Sequence, residues 1–253
     1  MKQIILSTIK DELIISDNEE VILIDDLDLN EGQTLTSVFK IKIGKNCQIK
    51  YLCFINYSLN KEKYQEREII LGNFSKMISH RFYLNAKDYL QKFSILIGEG
   101  ANLDSRVFFL GQGSDKLLIQ DDYIFAAPDS FGRFLVTGVL KDESRAKYYS
   151  EVAISNTAKG TDARIDMKLY LLNKGTKGVL LPSLKIAVNE VKAGHGASTF
   201  KLSEEDLFYL ASRGLSEQQV RQLIISSLLD NFFKEVSDHN FKENILKEIS
   251  KLN

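Results

Sequence analysis

His195 stands between two glycines, and the run from Val191 to Leu215, VKAGHGASTFKLSEEDLFYLASRGL, is where residue types look chosen for more than folding. Gly194 and Gly196 tolerate backbone conformations other residues avoid, and their missing side chains leave the imidazole approachable from either side. A neutral imidazole is a competent metal ligand, but a single ligand does not make a metal site. The two cysteines, Cys47 and Cys53 in CQIKYLC, have no second pair to complete a zinc site, a cluster or a disulfide framework, which fits a reducing compartment. Their even spacing points both thiols to one face of an uninterrupted strand, where buried structural thiols are the first reading. His80 in SHRF and His239 in SDHN are isolated from other ligand types and read as surface or capping residues. No phosphate loop ending in Lys-Ser/Thr, no GxSxG elbow and no HExxH occurs. The chain is read as a non-enzyme.

The elements that must position His195 change character at about residue 200. Ser203, Glu204, Glu205 and Asp206 read as an N-cap with an acidic first turn, and Arg213 with Gly214 as a cationic last turn with a left-handed stop. Ser216 with Gln219 repeats the capping box. Val220, Leu223, Ile224, Leu228, Phe232 and Val236 then give a stripe at helical spacing, widened by Ile225, Leu229 and Phe233. Asp238 or Asn240 can cap a third helix carrying Phe241, Ile245, Leu246 and Ile249. Before residue 200 the pattern is short β-rich runs bounded by Asp, Asn, Gly or Lys turns. Such a series suits either an antiparallel sandwich or barrel, or a parallel β-helix. The two prolines and the lack of Asn-Gly pairs favour coils over hairpins, while the lack of a fixed-length repeat counts weakly against a regular solenoid.

Composition bounds the partners. A chain of 253 residues with 44% hydrophobic content can bury a substantial core. Its 33 Lys and Arg nearly balance 34 Asp and Glu, leaving no bulk field to gather nucleic acid or an anionic membrane surface. Protein partners are the better expectation. No apolar run reaches the roughly eighteen residues of a membrane helix, and the N-terminus lacks a targeting pattern. The chain is read as soluble and cytoplasmic. The mixed-sign clusters KEKYQERE at 61–68 and KDESRAK at 141–147 read as solvated turns.

HGAS at 195–198 followed by SEEDLFYLASRGLS at 203–216 resembles the signature of the SufB/SufD family of iron-sulfur cluster assembly scaffolds. Pro182, Leu184 and Ile186 are similar to its PxLxI strand, and Leu171 to Lys174 to its leucine-rich segment. The resemblance covers about the last third of the chain with several positions at consistent spacing. It implies a mainly β fold: a right-handed parallel β-helix over 1–200, then a small C-terminal α-helical domain over 201–253. Gly196 stands where SufB-like chains usually carry glutamate, and no cysteine lies near Asp166, Met167 and Lys168, so the chain looks closer to SufD. Ala193 stands where many relatives have cysteine, and Phe200 where glycine is common. It also looks like a short form of SufD, able to pair with itself.

The resemblance further implies a scaffold subunit that pairs edge to edge with a SufB-like subunit or as a homodimer, and docks the ATPase SufC through its C-terminal helices. His195 would be a candidate metal ligand shared with the partner subunit, near a transient iron-sulfur cluster at the interface; no cofactor would be tightly bound by this chain alone. Leu223, Ile224, Leu228 and Phe232 on the second helix are the expected ATPase contacts, laid as an apolar helix in a groove. The alternatives are a β-helix polysaccharide-active enzyme, for which Asp121 and Asp122 are the adjacent acidic pair on a strand of the later coils, and a structural β-solenoid.

Overall fold

The computed structural model describes residues 1–6, 12–28, 36–56, 63–84, 89–236 and 238–251; of the charged cluster at 61–68, residues 61 and 62 lie outside them. Successive strands go to alternate sheets. β1 (Lys2–Ile5), β3 (Glu20–Asp28), β5 (Gln48–Asn56), β7 (Lys76–Leu84), β9 (Asn102–Gly111), β11 (Phe131–Leu140), β13 (Asp162–Leu171) and β15 (Lys192–Lys201) form one eight-stranded sheet in that order. β2 (Glu12–Ile15), β4 (Thr36–Ile43), β6 (Lys63–Leu71), β8 (Tyr89–Ile97), β10 (Lys116–Phe125), β12 (Arg145–Ile154) and β14 (Lys177–Ile186) form a seven-stranded sheet. Neighbours within each sheet pair in parallel, as stacked coils must. The fold is a parallel β-helix, and the sandwich alternative falls away.

Coil length varies. Lys76 pairs with Asn102, 26 residues on, whereas Phe131 pairs with Asp162, 31 residues on. Insertions at the corners leave the strand register intact, so the sequence carries no fixed period. What does repeat is alternation: β10 and β12 bury every second residue, and Leu23, Ile41, Ile95, Leu103, Val136 and Ile165 fill the space between the sheets.

The corners stack as well. Asn18, Asn46, Phe74, Gly100, Asp129 and Gly160 all have positive φ, and each donates its backbone N–H to a carbonyl of the next coil. Asn, Asp and Gly reach this region most readily; Phe74 is the exception, and its ring covers Gly100, where a Cβ would come within 2.5 Å. A second rung runs beneath. Ser75 Oγ donates to Gly44 O at 2.8 Å and Ser130 Oγ to Gly98 O at 2.7 Å. Cys47 fills the same corner position one coil earlier, with Sγ donating to Ser16 O at 3.1 Å.

After β15 the chain turns helical. α1 (Glu204–Ala211) starts with a full capping box between Ser203 and Asp206, and Gly214, at φ 88°, ends the turn that follows it. α2 (Glu217–Phe233) repeats the box with Ser216 and Gln219, and Asp238 caps α3 (His239–Ser250). α2 and α3 fold back on the outer face of the eight-stranded sheet. There Ile225, Leu229, Phe232, Phe233, Phe241 and Ile245 join Leu52, Phe54, Phe82, Leu84, Phe108 and Leu110 in a second apolar cluster. This explains the unbroken buried runs at the ends of β7 and β9, strands covered on both faces. The helices and the sheet share one cluster, so the change at residue 200 divides secondary structure more than packing.

Candidate functional site

β15 ends the eight-stranded sheet. It pairs with β13 on one side, and among the described residues its other edge is free. His195 lies opposite Ile165, a fully buried core residue, so it holds an inward register position; with no further coil over it, it is exposed. Leu180, Leu184, Val188, Val191 and Ala193, on β14, β15 and the segment between them, are only partly buried against the core. The site is the uncovered end of the β-helix, where an exposed imidazole holds an inward register position. On the outward side, Gly194 and Gly196 lie beside an ion pair in which Arg164 Nε meets Asp166 Oδ2 at 2.7 Å. A Cβ at Gly196 would stand 2.8 Å from Asp166 Oδ1, so a longer acidic side chain there would set carboxylate against carboxylate.

Neither cysteine of this chain lies near His195. Cys53 is on β5, five strands away at about 4.8 Å per strand, or about 24 Å. Among the described residues no group of three His, Cys, Asp or Glu could hold a metal ion. Cys47 and Cys53 are both buried and free, and burial pushes the Cys53 thiol up, away from thiolate chemistry.

The interior holds a polar layer that sequence reading missed. Arg67 grips Asp25 through Nε at 2.8 Å and Nη2 at 3.0 Å, with Tyr51 Oη donating to the same carboxylate. Farther along, Arg81 grips Asp121 at 2.6 and 2.8 Å; Tyr123 and Tyr148 also donate to that carboxylate, and the guanidinium lies over the Phe93 ring. Register places Cys53 between Asp25 and Arg81. The only available signal was charged residues at inward positions of otherwise alternating strands.

Comparison with known proteins decides the family. Residues 9–228 match the description "SUF system FeS cluster assembly, SufBD core domain". The chain belongs to the SufBD family. An iron-sulfur cluster assembly SufBD family protein of Staphylococcus saprophyticus is 25% identical over 215 residues, covering 79% of this chain and 43% of that protein. Another, from Staphylococcus aureus strain USA300, is 28% identical over 146 residues, covering 56% of this chain and 30% of its own length. This SufBD chain therefore spans less than half the length of these relatives.

Within this SufBD chain, the residues expected to face an ATPase divide. Phe232 is buried, packed against Phe82, Phe108 and His80, and Ile224 and Leu228 are half-buried on the same cluster. Only Leu223, 57% exposed, faces outward. α2 carries apolar residues on several sides, so spacing left its buried face ambiguous; the sheet selects Ile225, Leu229 and Phe233 together with Phe232. α1 instead buries nothing fully and exposes Phe208 and Tyr209.

His80, read as a surface or capping residue, is buried beneath α2. Burial, with Arg106 and Lys50 adding, lowers its pKa to about 4, against a smaller opposing effect of Asp104. His239 is exposed and pairs with Glu243 at 2.9 Å. Asp121 points into the core and Asp122 outward, so alternation separates this acidic pair, which glycan chemistry would need on one face. No described helix is long and apolar enough to cross a membrane.

Proposed function

We propose that this SufBD chain is a cytoplasmic, non-enzymatic scaffold subunit of iron-sulfur cluster assembly. It pairs with a SufB-like subunit or a second copy through the end of its β-helix, and docks a SufC-like ATPase through its C-terminal helices. The observation that carries this reading is the free edge of β15 with exposed His195 near its middle, half of a sheet and one donor of a ligand set. The nascent cluster is cargo, held by His195 together with donors from the partner. Membership of a family described by cluster assembly supports the cargo class. For the ATPase, Leu223, Phe208 and Tyr209, with Leu246 on α3, are the large apolar side chains that the helices leave exposed.

Co-expression with a SufC-like ATPase and a SufB-like subunit, followed by anaerobic purification, tests the reading through stoichiometry and iron content. His195→Ala should lower iron without dispersing the complex; equal cluster content removes His195 from the site. Leu223→Asp with Phe208→Asp should abolish ATPase retention while leaving the β-sheet circular dichroism intact, and full retention sinks the helix assignment.

A further inference from the structure

A surface beyond that reading lies on the outer face of the seven-stranded sheet. Across much of this face, charges are neutralised between coils: Lys42 with Glu12 at 2.8 Å, Lys40 with Glu68 at 3.0 Å, Lys92 with Glu66 at 2.6 Å and Lys185 with Glu151 at 2.7 Å. Where Asp122 and Glu151 share a column, Gln120 donates to the first and Lys185 pairs with the second.

The last two strands of this sheet break this rule. Arg145 and Lys177 occupy one register column on β12 and β14, both exposed, and Lys147 projects from the same face two residues along. Strands are about 4.8 Å apart, and like charges directly opposite one another destabilise a sheet. Among the described residues, Arg145, Lys147 and Lys177 have no ion-pair partner. Beside them Val179 and Leu181 are each 44% exposed and Tyr149 36%. The mixed-sign run at 141–147 is thus sorted by geometry: Arg145 and Lys147 project from the strand, while Asp142 stays in the turn and accepts from the Gly113 N–H.

We propose that this face docks an acidic amphipathic helix of a partner protein. The cation column selects carboxylates, and carboxylates at i and i+4 on a helix are about 5–6 Å apart, close to the coil spacing. Val179, Leu181 and Tyr149 require apolar side chains opposite them, which a phosphate backbone lacks. Arginine and tyrosine are favoured anchors of such contacts. The other sheet already carries helices on its outer face, where α2 and α3 pack through apolar side chains.

The test uses the full chain and a fluorescent synthetic helix with leucines on one face and glutamates flanking them, followed by anisotropy. Binding should weaken at least about tenfold in the R145E/K177E double variant and fall as salt rises, with circular dichroism unchanged. Equal binding by the variant, equal binding of the matched lysine peptide, or no binding overturns the proposal. Tighter binding of a poly-dT oligonucleotide than of the peptide also overturns it, assigning the face to a polyanion. All substituted positions lie outside β15 and the helices, so failure here is distinct from failure of the scaffold reading.

Discussion

Arg81 and Asp121 meet across the interior of the β-helix, Nη2 to Oδ2 at 2.6 Å, with both side chains fully buried. They sit on opposite sheets, so the pair joins the two walls where apolar side chains alone would tolerate small shifts. Arg81→Met should destabilise by about 3–5 kcal/mol, because Asp121 is left as a buried charge without its counter-ion. Adding Asp121→Leu should restore part of the loss. Urea unfolding of both single variants and the double checks this, with a coupling above about 1 kcal/mol expected; additive losses would show that the two residues act independently.

His80 makes stability pH-dependent. In the unfolded chain it titrates near 6.5, but beneath α2 it does so at about 4. The native state therefore resists protonation, and the contribution is complete above pH 6.5 and lost as pH falls toward 4. A shift of that size is worth about 3 kcal/mol. The difference between wild type and His80→Leu should change over that window and flatten outside it, as measured by denaturant unfolding at successive pH values. A constant difference would place the histidine in contact with water.

Phe232 and Leu223 should separate stability from docking. Phe232→Ala should cost about 3–5 kcal/mol through the cavity left against Phe82 and Phe108. Leu223→Ala should stay within about 0.5 kcal/mol. Thermal unfolding of the two variants reads this directly; similar losses would mean that α2 is seated with the other face inward.

Cys47→Ser should change stability by about 1 kcal/mol or less, since a hydroxyl can make the bond to Ser16 O that Ser75 makes to Gly44 O one coil later. Cys47→Ala, which removes that bond, should be the less stable of the two in urea. The reverse order would show that size, not hydrogen bonding, sets this corner.

The sequence made the helical end legible because capping is local: Ser203, Ser216 and Asp238 stand next to the N–H groups they satisfy. Strand positions were also readable from alternation. Parallel stacking was not, because Asn102 and Phe131 meet only through coil closure, and variable corners erase the period. His195 was legible as a position but not as a geometry, since its exposure depends on being in the last coil. Arg81 and Asp121 are separated by 40 residues, and nothing local in either strand announces the pair. The buried face of α2 was unreadable for a different reason: a helix apolar on several sides leaves the choice to the surface it meets.

A solenoid has no natural stopping length, and among the described residues the outer edge of β15 leaves its backbone donors and acceptors open to any extended chain. Held alone at high concentration, the chain presents a growth point at which strand addition can continue into fibres. Its central stretch from Ala193 to Phe200 carries no lysine, glutamate or proline to discourage this. A subunit seated on that edge therefore also acts as a stopper, and supplying it during expression should decide whether the chain stays in the supernatant or enters the pellet.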